Sequence, residues 1–399
     1  MPSRLRAISV LTALTVGLTL SPGPASAAST RTPKAPASLV AATPAAPTPD
    51  AARLQAALDE LTAAGAPAAL AEVRVGDTVW SGASGVRDLR TGQAARAGDR
   101  YRVASVTKAM TATVALQLAD EGRLTLDDPV ARHLPGVLPY RETITLRQLL
   151  NHTSGIPDYF DELYPTGSDA ELEKNRFRHH TPRELIDAAT RKPLGPIGTF
   201  AYSNTNYLLI GLVVESVTGR PLGRELRDRI FRPAGMKDTS YPDRSPVLTG
   251  PHVHGYRQGG SGRLVDTTVY TPSVWGAAAG VVSTSGDINR FFRALSDGTL
   301  LSSARLGEMR TMNEVGYGLG VMGGGDLCPT APGDLVWGNM GNGFGYRSQS
   351  WSSPDGRRQV TFGWTVTVPG VVGPPKVEAA VREFLVAALG ATCAPTPVR

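Results

Sequence analysis

Strand-like sequence lies near both ends of this chain, and a long helix-rich region separates the two. The stretch "AALAEVRVGDTVWSGASGVRD" predicts a strand, a Gly-Asp turn and a second strand, and "LVWGNMG", "YRSQSWSS" and "RQVTFGWTVTV" predict short strands beyond residue 275. Between them, "VTKAMTATVALQLADEG", "TPRELIDAAT" and "TNYLLIGLVVESVTG" repeat apolar residues with a helical period. The chain is therefore expected to build one sheet from its two ends, with helices inserted between the halves.

This order of elements predicts an α+β fold in one composite domain over residues 51–395. We assign residues 51–105 and 270–395 to its sheet-containing part and residues 106–269 to a mainly helical part. Residues 28–50 are Ala, Pro and Thr with almost no large apolar side chains, so they cannot build a core and are interpreted as a linker. The 399 residues, 41% of them hydrophobic, suffice for a large buried core.

The first 27 residues have the pattern of an export signal. Arg4 and Arg6 precede an apolar run from Ala7 to Leu20, and a small-residue cleavage site follows at Ala25-Ser26-Ala27. A retained membrane anchor is the alternative, but this run has 14 residues, whereas a spanning helix needs about 20. We expect a secreted, extracellular chain that begins near Ala28 and has no stable membrane anchor.

Charge and cysteine content fit this localisation. The formal net charge is +6, and loss of the two leader arginines makes the mature chain only mildly basic. The sequence has no run of basic residues, so nucleic acid is not an expected partner, although attraction to an anionic cell wall remains open. The two cysteines, Cys328 and Cys393, would meet an oxidising compartment and are expected to form one disulfide. Two free buried thiols are the alternative.

The stretch "YRVASVTKAM" places Ser105 and Lys108 three positions apart where a helix begins. Unpaired N–H groups at a helix N-terminus stabilise a developing anion, and a lysine one turn on can reach the serine hydroxyl and take its proton when it is desolvated. An N-cap serine with a solvated lysine would give the same letters. The later stretch "AYSNTNYLLIG" adds Tyr202 for proton relay and Asn204 for a substrate carbonyl or the lysine, or else forms a capped turn with a packing tyrosine.

These two motifs, with "LADEGRLTLDDPV", "ITLRQLLNHTSGIPDY" and "GYGLG" in order, resemble the serine β-lactamase and DD-peptidase superfamily. The resemblance runs from about Leu54 to Cys393 and is closest to secreted D-alanyl-D-alanine carboxypeptidases. It implies a helical subdomain against an antiparallel sheet flanked by helices. It also implies that Ser105 is the acylated nucleophile, Lys108 its partner and Tyr202 an acid/base group.

The chain departs from the superfamily at its third motif, which is Lys or His, then Thr or Ser, then Gly. The corresponding stretch is "VWGNMGNGFGY", aligned at Asn339-Met340-Gly341, where an amide and a thioether replace the usual polar groups. By resemblance, the backbone N–H groups of Asn342 and Ser105 would form an oxyanion hole, which does not depend on side-chain identity. The strand offers no cation for a substrate carboxylate, which weakens the specific carboxypeptidase prediction.

The other notable residues receive mostly structural interpretations. Trp275 resembles an aromatic residue near the family's cleft, with core packing as an equal alternative. His152 is interpreted as structural rather than as a general base. His252 and His254 lack further ligands at metal-binding spacing, so neither metal nor cofactor is expected.

The sequence thus predicts a secreted serine hydrolase that forms an acyl-enzyme, most simply a D-alanyl-D-alanine carboxypeptidase acting on cell-wall peptides. An esterase, a D-stereospecific peptidase or a β-lactamase with the same site are alternatives. A catalytically silent penicillin-binding or wall-binding protein is a further alternative from a different functional class. The expected partners are small peptide or ester substrates, including peptidoglycan stem peptides and β-lactams, and the chain is expected to be a monomer.

Overall fold

The computed structural model describes residues 49–259, 262–326, 328, 335–368 and 373–393. The predicted signal peptide and all but the last two residues of the predicted linker lie outside these ranges. Within them, no helix is both long enough and apolar enough to cross a membrane.

An antiparallel sheet is the centre of the described structure. The strands, numbered in chain order, are β1 (Ala68–Val75), β2 (Thr78–Asp88), β3 (Gln93–Ala94), β4 (Tyr101–Arg102), β5 (Tyr256–Gln258), β6 (Leu264–Asp266), β7 (Val282–Ser283), β8 (Met322–Gly325), β9 (Leu335–Asn342), β10 (Arg347–Ser352) and β11 (Arg358–Trp364). Seven of them form the main sheet in the order β3-β2-β1-β11-β10-β9-β8, and β4 with β7 and β5 with β6 form two small pairs. Since β1 pairs with β11, with Ala69 opposite Trp364, the sheet is built from both ends of the chain as the sequence predicted.

Helices cover the sheet and fill the region between its two halves. Within the described residues they are α1 (Ala51–Ala63), α2 (Thr107–Asp120), α3 (Val130–His133), α4 (Leu146–Leu150), α5 (Phe160–Leu163), α6 (Asp169–Asn175), α7 (Pro182–Ala189), α8 (Asn204–Thr218), α9 (Leu222–Leu226), α10 (Gly276–Ala279), α11 (Ser285–Ser296), α12 (Ser303–Met309) and α13 (Pro375–Gly390). The sequence signals several of these starts: Thr181, for example, caps α7 by accepting from the Glu184 N–H group, and the Glu184 carboxylate accepts from Thr181 in return. The α+β prediction, with an antiparallel sheet flanked by helices, is confirmed.

The two faces of the sheet bury different surroundings, because successive strand residues point in opposite directions. In β1, Ala69 and Val73 face an apolar cluster formed with α1 and α13, which we call the far-face core. Its largest fully buried side chains are Trp364, Phe362 and Phe384. The other face of β1 packs against α11 and the main helical core.

The helical core brings the start of α2 against the sheet. Helix α2 is buried on almost every side and packs against α8 and α10. The 3₁₀ turn Ala104–Val106, directly before α2, lies against β9. The approach is so close that a side chain on Gly341 would place its first carbon 2.2 Å from the Val103 carbonyl oxygen. Glycine is therefore required at this point of β9.

The predicted disulfide is present. Cys328 and Cys393 are bonded; their Cα atoms are 5.4 Å apart, and the two residues are 65 positions apart in sequence. The bond joins the segment between β8 and β9 to the residues that follow α13.

Candidate active site

Ser105 lies in the 3₁₀ turn at the N-terminal end of α2 and is partly exposed. The preceding residue, Ala104, has a positive φ of 47°, a conformation that disfavours a non-glycine residue by about 1–2 kcal/mol. Such backbone conformations persist when the surrounding structure fixes them. Here the end of β9 and the residue after it pack closely against the turn. A Cβ atom on Gly341 would lie 3.1 Å from the Ala104 Cβ atom, and one on Gly343 would lie 3.5 Å from it. The turn presents the Ser105 hydroxyl at a helix end whose N–H groups lack helical partners.

Lys108 is fully buried directly behind Ser105. Its Nζ atom lies 3.1 Å from Ser105 Oγ, 2.7 Å from Asn204 Oδ1 and 3.1 Å from the Ala278 carbonyl oxygen. Burial lowers the pKa of the Lys108 ammonium to about 7, and attraction to the Asp158 carboxylate opposes that change. A neutral amine has two N–H groups, and the Asn204 and Ala278 oxygens can only accept. Together they take both N–H groups and leave the nitrogen lone pair facing Ser105 Oγ.

Tyr202 approaches Ser105 from the other side of the cleft. Its hydroxyl donates to Ser105 Oγ at 2.9 Å, and Lys108 Nζ lies 4.8 Å from the centre of its ring. Burial raises the pKa of the Tyr202 phenol above its ordinary value of 10. The phenol therefore stays protonated near neutral pH and can donate a proton in this position.

The His152 ring packs against the ring of Tyr202 and does not contact Ser105. Its ring centre lies 4.3 Å from that of Tyr202, and its Nδ1 atom accepts from the Ser203 N–H group at 3.2 Å. Its Nε2 atom lies 3.2 Å from the Tyr317 hydroxyl. Burial lowers the pKa of His152 well below its usual value, so the ring is neutral. This arrangement agrees with the structural role that the sequence favoured.

Asn204 connects the lysine to an acid that the sequence analysis did not single out. The sequence left open whether this amide meets the substrate or Lys108; its Oδ1 atom binds Lys108 in the structure. Its Nδ2 atom donates to Asp158 Oδ2 at 2.8 Å. The signal that the sequence offered for Asp158 was its position between Pro157 and Tyr159 in "SGIPDY".

The third-motif residues point to different sides of the sheet. Asn339 is buried on the face of the sheet that meets the 3₁₀ turn Ala104–Val106, where its Nδ2 atom donates to the Gly320 carbonyl at 2.7 Å and its Oδ1 atom accepts from Met340 N. Met340 packs against the far-face core. Neither side chain forms a hydrogen bond with Ser105 in the structure.

Asn342 is exposed at the end of β9, between the two glycines that lie against Ala104. The backbone at Asn342 therefore passes close to the 3₁₀ turn Ala104–Val106. That its N–H group joins that of Ser105 in an oxyanion hole stays a prediction.

Trp275 lies in an aromatic cluster beside the cleft and is only 5% exposed. Its ring stacks on Phe160 with centres 5.2 Å apart and lies 5.0 Å from Phe344. These contacts fit the packing alternative. Phe160 is the more exposed ring of the three.

A scan against protein-family models matches residues 54–372 to the model described as Beta-lactamase. The chain belongs to the beta-lactamase family. This family comprises serine hydrolases that include carboxypeptidases and amidases, so the resemblance stated from the sequence is confirmed.

Solved structures extend this beta-lactamase-family relationship over nearly whole chains. A D-stereospecific amidohydrolase from Streptomyces sp. is 36% identical, with a TM-score of 0.73 over 83% of this chain and 98% of its own. The D-amino acid amidase from Ochrobactrum anthropi SV3 is 26% identical, with a TM-score of 0.73 over 85% and 97%. An Escherichia coli (strain K12) relative named "Putative D-alanyl-D-alanine carboxypeptidase" is 29% identical over 55% of this chain and 54% of its own. The chain spans about half or less of the length of the curated relatives it matches.

Proposed function

We propose that this chain is a secreted serine amidohydrolase that cleaves amide or peptide bonds on the carbonyl side of a D-configured residue. The observation that carries the proposal is the position of Ser105 Oγ between Lys108 Nζ at 3.1 Å and Tyr202 OH at 2.9 Å. The near full-length likeness to a D-stereospecific amidohydrolase supports the substrate class. The export pattern in the first 27 residues supports secretion.

In the acylation step, Ser105 Oγ attacks the amide carbonyl carbon while its proton passes to the lone pair of neutral Lys108. The carbonyl oxygen becomes an oxyanion at the N-terminal end of α2, near the backbone of Asn342. Tyr202 then gives its proton to the leaving nitrogen, the carbon–nitrogen bond breaks, and the amine departs. The proton held by Lys108 restores Tyr202, which leaves an ester on Ser105.

Deacylation repeats these transfers with water. A water molecule attacks the ester carbonyl carbon and gives a proton to the same Tyr202 and Lys108 pair, and Ser105 Oγ leaves and is reprotonated. The acid is released, and the serine, lysine and tyrosine return to their starting protonation states. No redox partner is needed in either half of the cycle.

D-alanyl-D-alanine carboxypeptidase activity is the second candidate, favoured by the Escherichia coli relative. Such an enzyme must bind a free substrate carboxylate next to the reacting bond. Strand β9 carries Asn339 and Met340 where the superfamily has a cation or histidine and a hydroxyl, and the Met340 side chain packs on the far side of the sheet. A simple D-amide has no such carboxylate, so this strand fits it better.

The test combines turnover with a covalent label. Purified chain would be incubated with D-phenylalaninamide, L-phenylalaninamide, a stem peptide ending in D-Ala-D-Ala and an activated ester, and products and protein masses would be measured. A labelled penicillin would mark an acylated residue for peptide mapping. We expect cleavage of the D-amide, little cleavage of the L-amide, and the label on Ser105.

Ser105→Ala should abolish both turnover and label, and Ser245→Ala, in an exposed loop, should change neither. Full activity in Ser105→Ala would refute the proposal. Preferential cleavage of the stem peptide would favour the carboxypeptidase, cleavage of the ester alone would favour an esterase, and label without any product would favour a silent penicillin-binding protein.

A further inference from the structure

We propose that Asp158 is a positioning residue of this site, whose carboxylate orients the Asn204 amide and places a negative charge one side chain away from Lys108. The inference rests on the proposed function, in which Lys108 takes the proton of Ser105. Asp158 would act through Asn204 and would not touch the substrate.

The hydrogen bonds of Asp158 determine which way the Asn204 amide faces. Asp158 Oδ2 accepts from Asn204 Nδ2 at 2.8 Å, and Asp158 Oδ1 accepts from the Phe160 N–H group at 3.1 Å. An ionised carboxylate can only accept, so it requires the NH₂ end of the amide. The oxygen end of Asn204 is thereby turned to Lys108 Nζ at 2.7 Å. In the opposite orientation the Asn204 NH₂ group would face the Lys108 N–H groups, and the Asn204 oxygen would face the Asp158 carboxylate.

The second contribution of Asp158 is its charge. The hydrogen bonds of Lys108 go to neutral groups on Ser105, Asn204 and Ala278. Burial lowers the pKa of Lys108, and attraction to Asp158 raises it. Burial likewise raises the pKa of Asp158, and two hydrogen bonds and attraction to Lys108 lower it. Without this carboxylate, burial of the lysine would be unopposed and its pKa would fall further.

Other titratable groups near the pair do not replace Asp158. Burial keeps the neighbouring histidine and tyrosines neutral near pH 7, and the nearby lysine is ion-paired with a glutamate. An exposed aspartate is the remaining charge that acts on Asp158. The histidine is His152, and the tyrosines are Tyr159, Tyr202 and Tyr207. The ion pair is Lys192 with Glu162, and the exposed aspartate is Asp161.

The first measurement is the pKa of Lys108 by NMR in the full chain labelled with ¹³C at lysine Cε. The sequence has six lysines, and Lys108→Arg identifies the resonance. We expect Asp158→Asn to lower the Lys108 pKa by about one unit, the lower end of the effect of a nearby opposite charge. The matched control is Asp161→Asn, which removes the same charge without a contact to Asn204 and should leave the Lys108 pKa unchanged.

Asp158→Glu distinguishes the effect of the negative charge from that of side-chain length. It also provides a second test of the inference if Asp158→Asn fails to fold. It keeps the negative charge, so the Lys108 pKa should remain near the wild-type value. An unchanged Lys108 pKa in folded Asp158→Asn, an equal shift in Asp161→Asn, or a lowered value in Asp158→Glu would each overturn the inference.

The second measurement is the pH dependence of kcat/KM on the substrate that the wild-type chain cleaves. In Asp158→Asn the acid limb should move to lower pH by the same amount as the lysine pKa, and the plateau should fall about tenfold because the Asn204 orientation is no longer fixed. A purely structural role would lower the whole curve without moving the limb, which would contradict the inference. The NMR titration does not require turnover, so a chain that acylates nothing would refute the proposed function and still give a result for Asp158.

Discussion

The sheet separates two buried regions of opposite chemistry. The far-face core is apolar, and its interior is filled by aliphatic and aromatic side chains from β1, β11, α1 and α13. On the other face, the region under Ser105 is equally inaccessible but rich in amide, imidazole and amine groups. We call these polar residues the site cluster, and they are Lys108, His152, Asn204, Asn206 and Asn339.

Stability and chemistry are expected to depend on different faces of the sheet. Apolar burial contributes about 25 cal/mol per Å² and does not depend on pH. Buried polar groups are compensated only by one another, so the loss of one member leaves its partners unpaired. The far-face core should therefore control unfolding, and the site cluster should control reaction rate and its dependence on pH.

Lys108→Met is expected to have the largest effect on rate. It removes the group that we propose as the general base and should lower kcat/KM by about 10³–10⁴-fold. Its effect on stability should depend on pH, because the unfolded lysine binds a proton below about pH 10.5, whereas the folded one does so only below about pH 7. The penalty of burying the amine in the wild-type chain is thus full below pH 7 and absent above 10.5.

Denaturant unfolding from pH 6 to 10.5 would check this expectation. The stability of Lys108→Met relative to wild type should be greatest near pH 6 and decline by about 4 kcal/mol as the pH rises to 10.5, because the two pKa values of the lysine differ by about 3.5 units. A difference that stays constant across the range would mean that the folded chain keeps Lys108 charged.

Tyr202→Phe should reduce kcat by about 10²–10³-fold, since it removes only the proton donor and keeps the ring packed on His152. Substrate binding and the unfolding free energy should change little. Single-turnover kinetics with an amide and with an ester of the same acid would check it, and the ester should suffer less because its leaving group needs less protonation. Equal losses for both would argue against Tyr202 as the donor to the leaving group.

Phe384→Ala tests the opposite face. This side chain is fully buried in the far-face core, and its truncation should lower the free energy of unfolding by about 3–5 kcal/mol. At temperatures where the variant remains folded, kcat/KM and the position of the acid limb should match the wild type. A moved acid limb would show that the two regions are coupled through the sheet.

The pH profile of the wild-type chain gives a smaller but direct test. Because burial lowers the pKa of Lys108 to about 7, the reactive neutral amine disappears as the pH falls below that value. The kcat/KM for an uncharged amide should therefore fall about tenfold per pH unit on the acid side. A limb near pH 4 or pH 10 would not fit Lys108 as the base.

Substitutions of Asn339 and Met340, which are neighbours in β9, should have the smallest effects on rate and stability. The two side chains face different regions, so each substitution should affect a different property. Met340→Thr should destabilise the chain by about 1–2 kcal/mol with little change in rate, and Asn339→His should change rate or substrate preference more than stability. The double variant restores the superfamily's third-motif residue types, and its hydrolysis of a D-Ala-D-Ala peptide can be compared with each single variant. An improvement in Met340→Thr alone would mean that this side chain reaches the cleft.

The sequence predicted those features that depend on local spacing. Ser105 and Lys108 lie one helical turn apart, and Tyr202 directly precedes a helix, so short motifs were enough to identify them. The assembly of the sheet from both ends followed from the positions of the strand-like segments. The roles of these residues in a reaction stay predictions until turnover is measured.

Features that arise from long-range packing were not accessible in the same way. The Ala278 carbonyl contacts Lys108 across 170 positions of sequence, and no side-chain pattern marks a backbone oxygen. Asp158 acts through Asn204, 46 positions away. The alignment of the third motif gave residue types, and strand alternation places the adjacent Asn339 and Met340 on opposite faces. Only the packing of β9 shows that Met340 is the one that faces the far-face core.

The pairing of β1 with β11 has a consequence for how the chain folds. It joins residues such as Ala69 and Trp364, which are almost 300 positions apart, in the middle of the sheet. Contacts of such long sequence separation slow folding, because the intervening chain must be ordered before they form. During synthesis the β1–β2 hairpin keeps one strand edge unpaired until β11, almost 300 residues later, has been made. This chain should therefore complete its fold late and depend on protection from aggregation until then.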